Sequence, residues 1–519
     1  MSSSDALSNM EEAIATAAIA RDQSATQVCS APAPDAASRK FIRDIAFSNL
    51  PVPFQKLQTY LWVVVLTRAL GPAGFGAWSL FMVTLSTATT VSTMNCGSSL
   101  MRFMSGERSR EEINQAFSTV LMMVTVAGLA VALIFVGLSK QLAIGIFRSA
   151  GGAGLGVLLG GAVIFNSLFE EMKNILRARR LNRSWACFSL ARTLPETAVV
   201  IAAALFVRSA SSACASYLAA GICSVIAGMV YLKARRGIRL VKPAMRLFVK
   251  YSKYGLPLLP GVFASTLSLG ADKYVVSHFL GLKQVGIYGV CFAISAVVFF
   301  LTGPINDVLF PELSALYDAQ QWSTFIERFR AVQKFVIGFA FGTAAILVAF
   351  PRQVLGMVAP KAFASGSTSL AVLGIQGIFM AFVLLYIVIL NTRLRVWSTT
   401  WFWMASGAAI VLLDMALVPR IGILGAAFSQ LIATAVGAFV LVGLHWDLFR
   451  RTFELWWLGK AALAFATVCL LAFVLQSRAT TFAGDIVAIV TGMLGFVICL
   501  LLTGYLTVNE IRKFAAALL

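Results

Sequence analysis

The chain has 519 residues, of which 59% are hydrophobic and only 12% charged, and its formal net charge is +20. Soluble domains run at roughly 45–50% apolar and about 25% charged. A soluble protein is therefore excluded, and with it the nucleic-acid partner that so basic a soluble chain would suggest. The apolar residues fall in long runs, the pattern of an all-α polytopic membrane protein.

Residues 1–44 are small and polar, with Pro32 and Pro34 and several acids. They lack the basic-then-apolar order of a signal peptide and read as a disordered cytoplasmic tail with a short helix over 8–20. About fourteen runs of spanning length follow. The first six are 45–67, 75–101, 117–138, 154–172, 185–207 and 212–232, a lobe over 45–232. A basic linker, 233–253, leads to six more at 254–280, 285–309, 333–350, 368–390, 399–418 and 422–443, a second lobe over 254–443. The segment 444–519 holds a last pair, 458–476 and 484–507, and the C-terminal end. Pro51 and Pro53 are expected to break the first span early, and Pro257 and Pro260 the seventh. Broken helices at matching places in two halves point to a substrate pathway, so these prolines are candidate hinges.

The halves also share a phrase. Leu70-Gly71-Pro72-Ala73-Gly74-Phe75-Gly76-Ala77-Trp78 returns 210 residues later as Leu280-Gly281-Leu282-Lys283-Gln284-Val285-Gly286-Ile287-Tyr288. The Leu-Gly pair, the second glycine five residues on and the aromatic two further all match. Each copy is a tight joint between two spans, with Gly71 and Gly281 as candidate hinges. Two similar membrane-embedded halves suggest a transporter.

Charge sets the expected orientation. With both termini in the cytoplasm, cytoplasmic segments hold 29 Lys and Arg, external loops hold 9, and four lie at or inside spans. That asymmetry follows the positive-inside rule and puts both joints outside. The densest segment, 233–253, carries eight basic residues and is expected to lie on anionic lipids of the inner leaflet.

Ionisable groups at membrane depth are costly and mark candidate sites. Lys56, about 22 Å from the first joint at 1.5 Å per residue, is one. Asp272 and Lys273 are a second; adjacent residues on a helix diverge by about 100° and are not expected to form one compact pair. Arg192 and Glu196, four apart, face each other. Arg68, near the external surface, aligns with His278 in the repeat. Asp272 and His278 are the candidates for carrying a coupled proton, with sodium or a substrate gradient left open. Asp414 lies toward the external end of its span. Glu170, Glu171, Asp307 and Glu312 lie near cytoplasmic ends and are expected to be solvated. The eight cysteines show no metal spacing, and no Walker loop or hydrolase motif occurs. No catalytic residue, metal or cofactor is expected; the protein is not read as an enzyme.

Several segments resemble one family. Thr67-Arg68-Ala69-Leu70-Gly71-Pro72 with Phe75-Gly76 resembles the start of bacterial polysaccharide transporters. These are the O-antigen-type flippases of the multidrug/oligosaccharidyl-lipid/polysaccharide superfamily. Tyr254-Gly255-Leu256-Pro257 through Asp272-Lys273 and Leu280-Gly281, then Val285-Gly286-Ile287-Tyr288, is similar to the family's seventh and eighth spans. Phe310-Pro311-Glu312-Leu313-Ser314 and Val418-Pro419-Arg420-Ile421-Gly422 through Ala427 resemble later signatures. The resemblance covers about 45–510. It implies a V-shaped, MATE-like carrier of two six-helix lobes plus two C-terminal helices in the bacterial inner membrane. It also implies an undecaprenyl-diphosphate-linked oligosaccharide as cargo, and a polysaccharide polymerase and co-polymerase as partners. A diphosphate cargo suits cations in the cavity, which Lys56, Lys273 and Arg192 would supply; the candidate lining as a whole is Lys56, Lys273, Asp272, Arg192, Glu196 and Arg68. The charges do not follow the repeat: Lys56 aligns with Thr266, and Asp272 with Trp62. The alternatives are a cation-coupled drug antiporter of the related branch and a non-transport subunit of a polysaccharide-synthesis complex.

Overall fold

A computed structural model describes residues 51–104, 109–147, 153–392, 396–476 and 482–505. The N-terminal tail and its expected short helix lie outside the described residues, as does the chain beyond 505. Among the described residues every regular element is helical. Twelve helices among the described residues are long and apolar enough to cross a membrane, thirteen if the bent pair over 245–280 is taken as one span. The 43-residue first helix is itself two helices joined at Gly71. The chain is thus an all-helical multi-span membrane protein with close to the expected number of crossings.

The first lobe comprises α1 (Pro51–Thr93), α2 (Cys96–Met104), α3 (Arg110–Gly137), α4 (Ser139–Gly145), α5 (Ala153–Ala178), α6 (Asn182–Val207) and α7 (Ala210–Arg236). A capping box starts α3: Ser109 Oγ accepts from the Glu112 amide, and the Glu112 carboxylate accepts from the Ser109 amide, both at 3.2 Å. α7 continues to Arg236 and ends at Gly237 in the left-handed conformation. The expected linker is therefore partly helix, and its irregular part is confined to 237–244.

The second lobe follows with α8 (Met245–Gly255), α9 (Leu259–Ser268), α10 (Ala271–Leu280), α11 (Leu282–Ser295), α12 (Thr302–Asp318), α13 (Trp322–Ala349), α14 (Pro351–Val358), α15 (Ser367–Thr392), α16 (Val396–Ile421), α17 (Ile423–Leu444) and α18 (Trp446–Thr452). The last pair, α19 (Leu455–Gln476) and α20 (Phe482–Leu502), packs on α13. Ala461, Ala464 and Val468 let the backbones approach around Phe350 and Phe496.

The described part of the first span begins at Pro51, and from there α1 runs without a break to the joint. The residues before Pro51 lie outside the described set, so the expected early break falls at its edge. Pro257 is the middle residue of a single 3-10 turn, Leu256–Leu258, and Pro260 lies in the first turn of α9 that follows. The larger bend of the seventh span, 45°, lies further on, between Ser268 and Ala271.

The joints have one geometry. Gly71 has φ 66° and ψ −178°; Gly281 has φ 79° and ψ 175°. Side chains exclude this backbone region, so glycine is required to reverse the chain in so few residues. The ten residues from Gly71 and the ten from Gly281 repeat the same order of buried and exposed positions. The second limb of α1 packs along α11, and this is the broadest contact between the lobes.

Candidate functional site

Four helices of the first lobe aim polar side chains into a cavity of about 270 Å³. Its centre is Arg192 on α6, buried with three hydrogen-bonded partners. Nε donates to Glu196 Oε2 at 2.7 Å, while Nη2 donates to Asn166 Oδ1 at 2.8 Å and to Tyr217 Oη at 3.0 Å. The guanidinium lies over the Phe169 ring, 4.6 Å from its centroid. Gln58 of α1 completes the cluster, donating to Glu196 Oε1 at 3.2 Å and to the Thr193 carbonyl at 3.3 Å. Thr89 Oγ1 accepts from Asn166 at 3.1 Å. A charge pair in an apolar bundle survives when its remaining donors and acceptors are met, and three neighbouring helices meet them here. At the edge of the cavity Glu170 and Lys173 form a pair at 2.8 Å.

A second cluster occupies the other lobe. The bend before Ala271 puts Asp272 in the first turn of α10, where the helix dipole favours a carboxylate. Oδ1 accepts from the Lys273 amide at 2.8 Å. Oδ2 accepts from Tyr288 Oη at 2.5 Å and from Gln430 Nε2 at 3.2 Å. Lys273 Nζ reaches back to 3.7 Å from Oδ1 and lies 4.0 Å from the Phe292 ring centroid. The expectation that the two neighbours could not pair is therefore corrected: both lie in the first turn of α10, and the long lysine stem curls back to bring its ammonium within 3.7 Å of the carboxylate. Asp414 of α16 is fully buried near this pair, and neither of its oxygens has a hydrogen-bond partner among the described residues. The neighbouring hydroxyl, Ser429 Oγ, donates instead to the Gly425 carbonyl at 3.0 Å.

The cations do not converge. Arg192 stays in the first lobe, and Lys273 is buried in the second. Lys56 is exposed on α1, with Nζ 5.9 Å from the Phe300 ring centroid in the opposite lobe. Arg68 lines neither cluster. It is exposed and donates to the carbonyls of Met357 and Val358 at 3.1 Å each, bridging the first joint to the C-terminal end of α14. His278 is exposed near the second joint, edge-on to Phe279, and is not brought to Asp272. Glu171 is buried, correcting the solvated-end expectation; it accepts from Asn174 at 3.4 Å. Glu312 is exposed and pairs with Arg328, while the Asp307 side chain lies outside the described set.

Asn166, Tyr217, Gln58, Tyr288, Gln430 and Asp414 were not singled out from sequence as site residues. Polar residues inside apolar runs were the available signal, and it does not separate them from packing residues. The repeat mismatch has a visible consequence: Trp62, aligned with Asp272, packs edge-on against Trp78 with centroids 5.3 Å apart. One lobe places aromatic rings where the other places an acid.

Glycines close the space between the lobes at the joint end. A Cβ at Gly76 would lie 2.9 Å from the carbonyl carbon of Leu282, and one at Gly286 would lie 2.8 Å from that of Pro72.

A family model described as "Polysaccharide biosynthesis protein" matches residues 65–367. No curated protein matches the chain. Among solved structures, the lipid II flippase MurJ in an inward closed conformation superposes with a TM-score of 0.66 at 15% identity, over 88% of this chain and 98% of that one. The MATE multidrug transporter DinF-BH gives 0.61 at 16% identity, over 82% and 99%. An inward-facing MATE transporter of the MOP superfamily gives 0.58 at 15%, over 79% and 98%. At these identities the likeness establishes a shared fold.

Proposed function

The chain belongs to the polysaccharide biosynthesis protein family, and we propose that it is a flippase for undecaprenyl-diphosphate-linked oligosaccharide. It moves this lipid from the inner to the outer leaflet of the bacterial inner membrane by alternating access, for surface or exopolysaccharide assembly. Both termini are cytoplasmic, and the membrane-bound polymerase and co-polymerase that use the delivered lipid are its partners. The protein performs no bond chemistry on its cargo.

The observation that carries this reading is the polar cavity around Arg192, which four helices of the first lobe line. A planar guanidinium with fixed donors suits phosphate and acidic sugar oxygens. Lys56, exposed between the lobes, supplies a second cation on the way. The glycine contact at the joints seals one end of the space between the lobes, as alternating access demands of each end in turn. Asp272 and Asp414 are the site of ion coupling in this scheme, since two buried carboxylates face a single lysine; His278 is too far along α10 to share it.

The direct test is translocation of a lipid-linked oligosaccharide by purified protein in liposomes. It is paired with surface polysaccharide in a deletion strain carrying Lys56→Ala or Arg192→Ala at matched protein level. Loss in both assays is the expected result. Full export by the double variant, or no translocation by the wild-type protein, would remove the assignment. A drug antiporter would instead show altered drug susceptibility on deletion.

A further inference from the structure

The linker between the lobes crosses the first lobe as a strap. Its backbone is held by α3: the amides of Arg239, Val241 and Ala244 donate to Asn114 Oδ1 (2.9 Å), Ser118 Oγ (2.9 Å) and Thr119 Oγ1 (3.0 Å). Ile238 is buried, while Arg239, Leu240, Val241 and Lys242 are exposed. Beneath the strap lies an open crevice of about 370 Å³, walled by Leu121, Met122, Met172, Met229, Leu240 and Pro243. Methionines and leucines make it apolar and adaptable. Met122 also begins an exposed stripe on α3 that continues through Val126, Leu129 and Leu133. That stripe faces the hydrocarbon, so the crevice is reached from the bilayer.

The strap's own charge has one sign. From Lys233 to Lys253 the chain has eight basic residues and no acid. Arg239, Lys242 and Arg246 are all exposed on the strap and the first turn of α8. Next to them, α8 shows Met245 and Val249 to the outside and buries Tyr251 against α2, the amphipathic form of a helix lying in a membrane interface.

We propose that the strap crevice is a binding site for an anionic phospholipid, with one acyl chain in the crevice and the phosphate gathered by Arg239, Lys242 and Arg246. The bound lipid ties the inter-lobe strap to α3, α5 and α7. The site is separate from the Arg192 cavity and does not depend on the nature of the cargo.

The test uses full-length protein in nanodiscs of phosphatidylcholine with graded phosphatidylglycerol, reading retained lipid by native mass spectrometry. Phosphatidylglycerol should be retained over phosphatidylcholine, and the R239Q/K242Q/R246Q variant should lose that preference by on the order of 100-fold if each cation acts as a surface charge does. Met122→Trp, which fills the crevice from its exposed edge, should lose retention of both lipids with the strap charges intact. Soluble glycerophosphoglycerol should not compete. Equal retention of the two lipids by the wild type, or undiminished preference in the triple variant, would overturn the proposal. So would full retention by Met122→Trp, or competition by the soluble headgroup, which would show an anion site without the acyl slot.

Discussion

Gly76 and Gly286 meet reciprocally between the two joints, each amide nitrogen 3.0 Å from where the other's Cβ would stand. Their obstructing neighbours, Pro72 and Leu282, are themselves matched in the repeat. Both follow a hinge glycine by one residue. The contact is thus backbone on backbone, made twice by one local design.

Adding a single methyl here has no flexible side chain to displace. Gly76→Ala and Gly286→Ala should each drive the joints apart. Spin labels on Ala73 and Lys283, the exposed matched positions, would report a longer distance distribution in either variant than in the parent. An unchanged distribution would show that the joint accommodates a Cβ. Export should fall in both variants, since one end can no longer seal.

Arg68 fastens the same end from outside. Arg68→Gln removes charge-assisted donors from the Met357 and Val358 carbonyls. Such bonds are worth about 1.5–3 kcal/mol when shielded, and exposure reduces this. The expected effect is a partial lengthening in the same spin-label pair, smaller than that of either glycine variant. An equal or larger effect would make Arg68 and not the glycine contact the main closure.

For Arg192 the two possible roles separate by a double substitution. Arg192→Ala strands Glu196 and should cost about 3–5 kcal/mol, as breaking a buried pair does. The R192Q/E196Q variant is neutral and should recover most of the thermal stability lost by the single variant. It should not recover translocation if the guanidinium contacts cargo. Recovery of both would reduce the pair to a packing device.

Asp272 and Asp414 should respond in opposite ways to neutralisation. Asp272→Asn removes the carboxylate that pairs with Lys273 and accepts from Tyr288 and Gln430, and should lower the denaturation midpoint. Asp414 has no hydrogen-bond partner among the described residues, so Asp414→Asn should leave stability unchanged or raise it. If these acids exchange the coupling ion, Asp414→Asn should also flatten the dependence of transport on pH or sodium. A steep, wild-type dependence in that variant would place coupling elsewhere.

Some of the site was legible because it is local. The Arg192–Glu196 pair follows from a spacing of four on a helix, and the hinge glycines follow from a repeated phrase. Gln58, Asn166 and Tyr217, which complete the coordination of that pair, come from three other helices, 25 to 138 residues away in the chain. No periodicity within one span reports such partners. The Asp272–Lys273 reading failed for a different reason. The turn of about 100° between neighbours fixes where their stems leave α10, not where a four-carbon stem ends, and the lysine ammonium returns to 3.7 Å from the carboxylate.

Hydropathy, charge asymmetry and the recurring joint are properties of residues near one another in the chain. By themselves they determined a membrane protein of two like halves with a pair of helices added. Which polar groups share a cavity, that Arg68 clasps α14 instead of lining the pathway, and that the two joints close on each other through Gly76 and Gly286 were decided only by packing. Each depends on contacts between distant segments, and in an apolar bundle a polar side chain is tolerated wherever another helix can satisfy it.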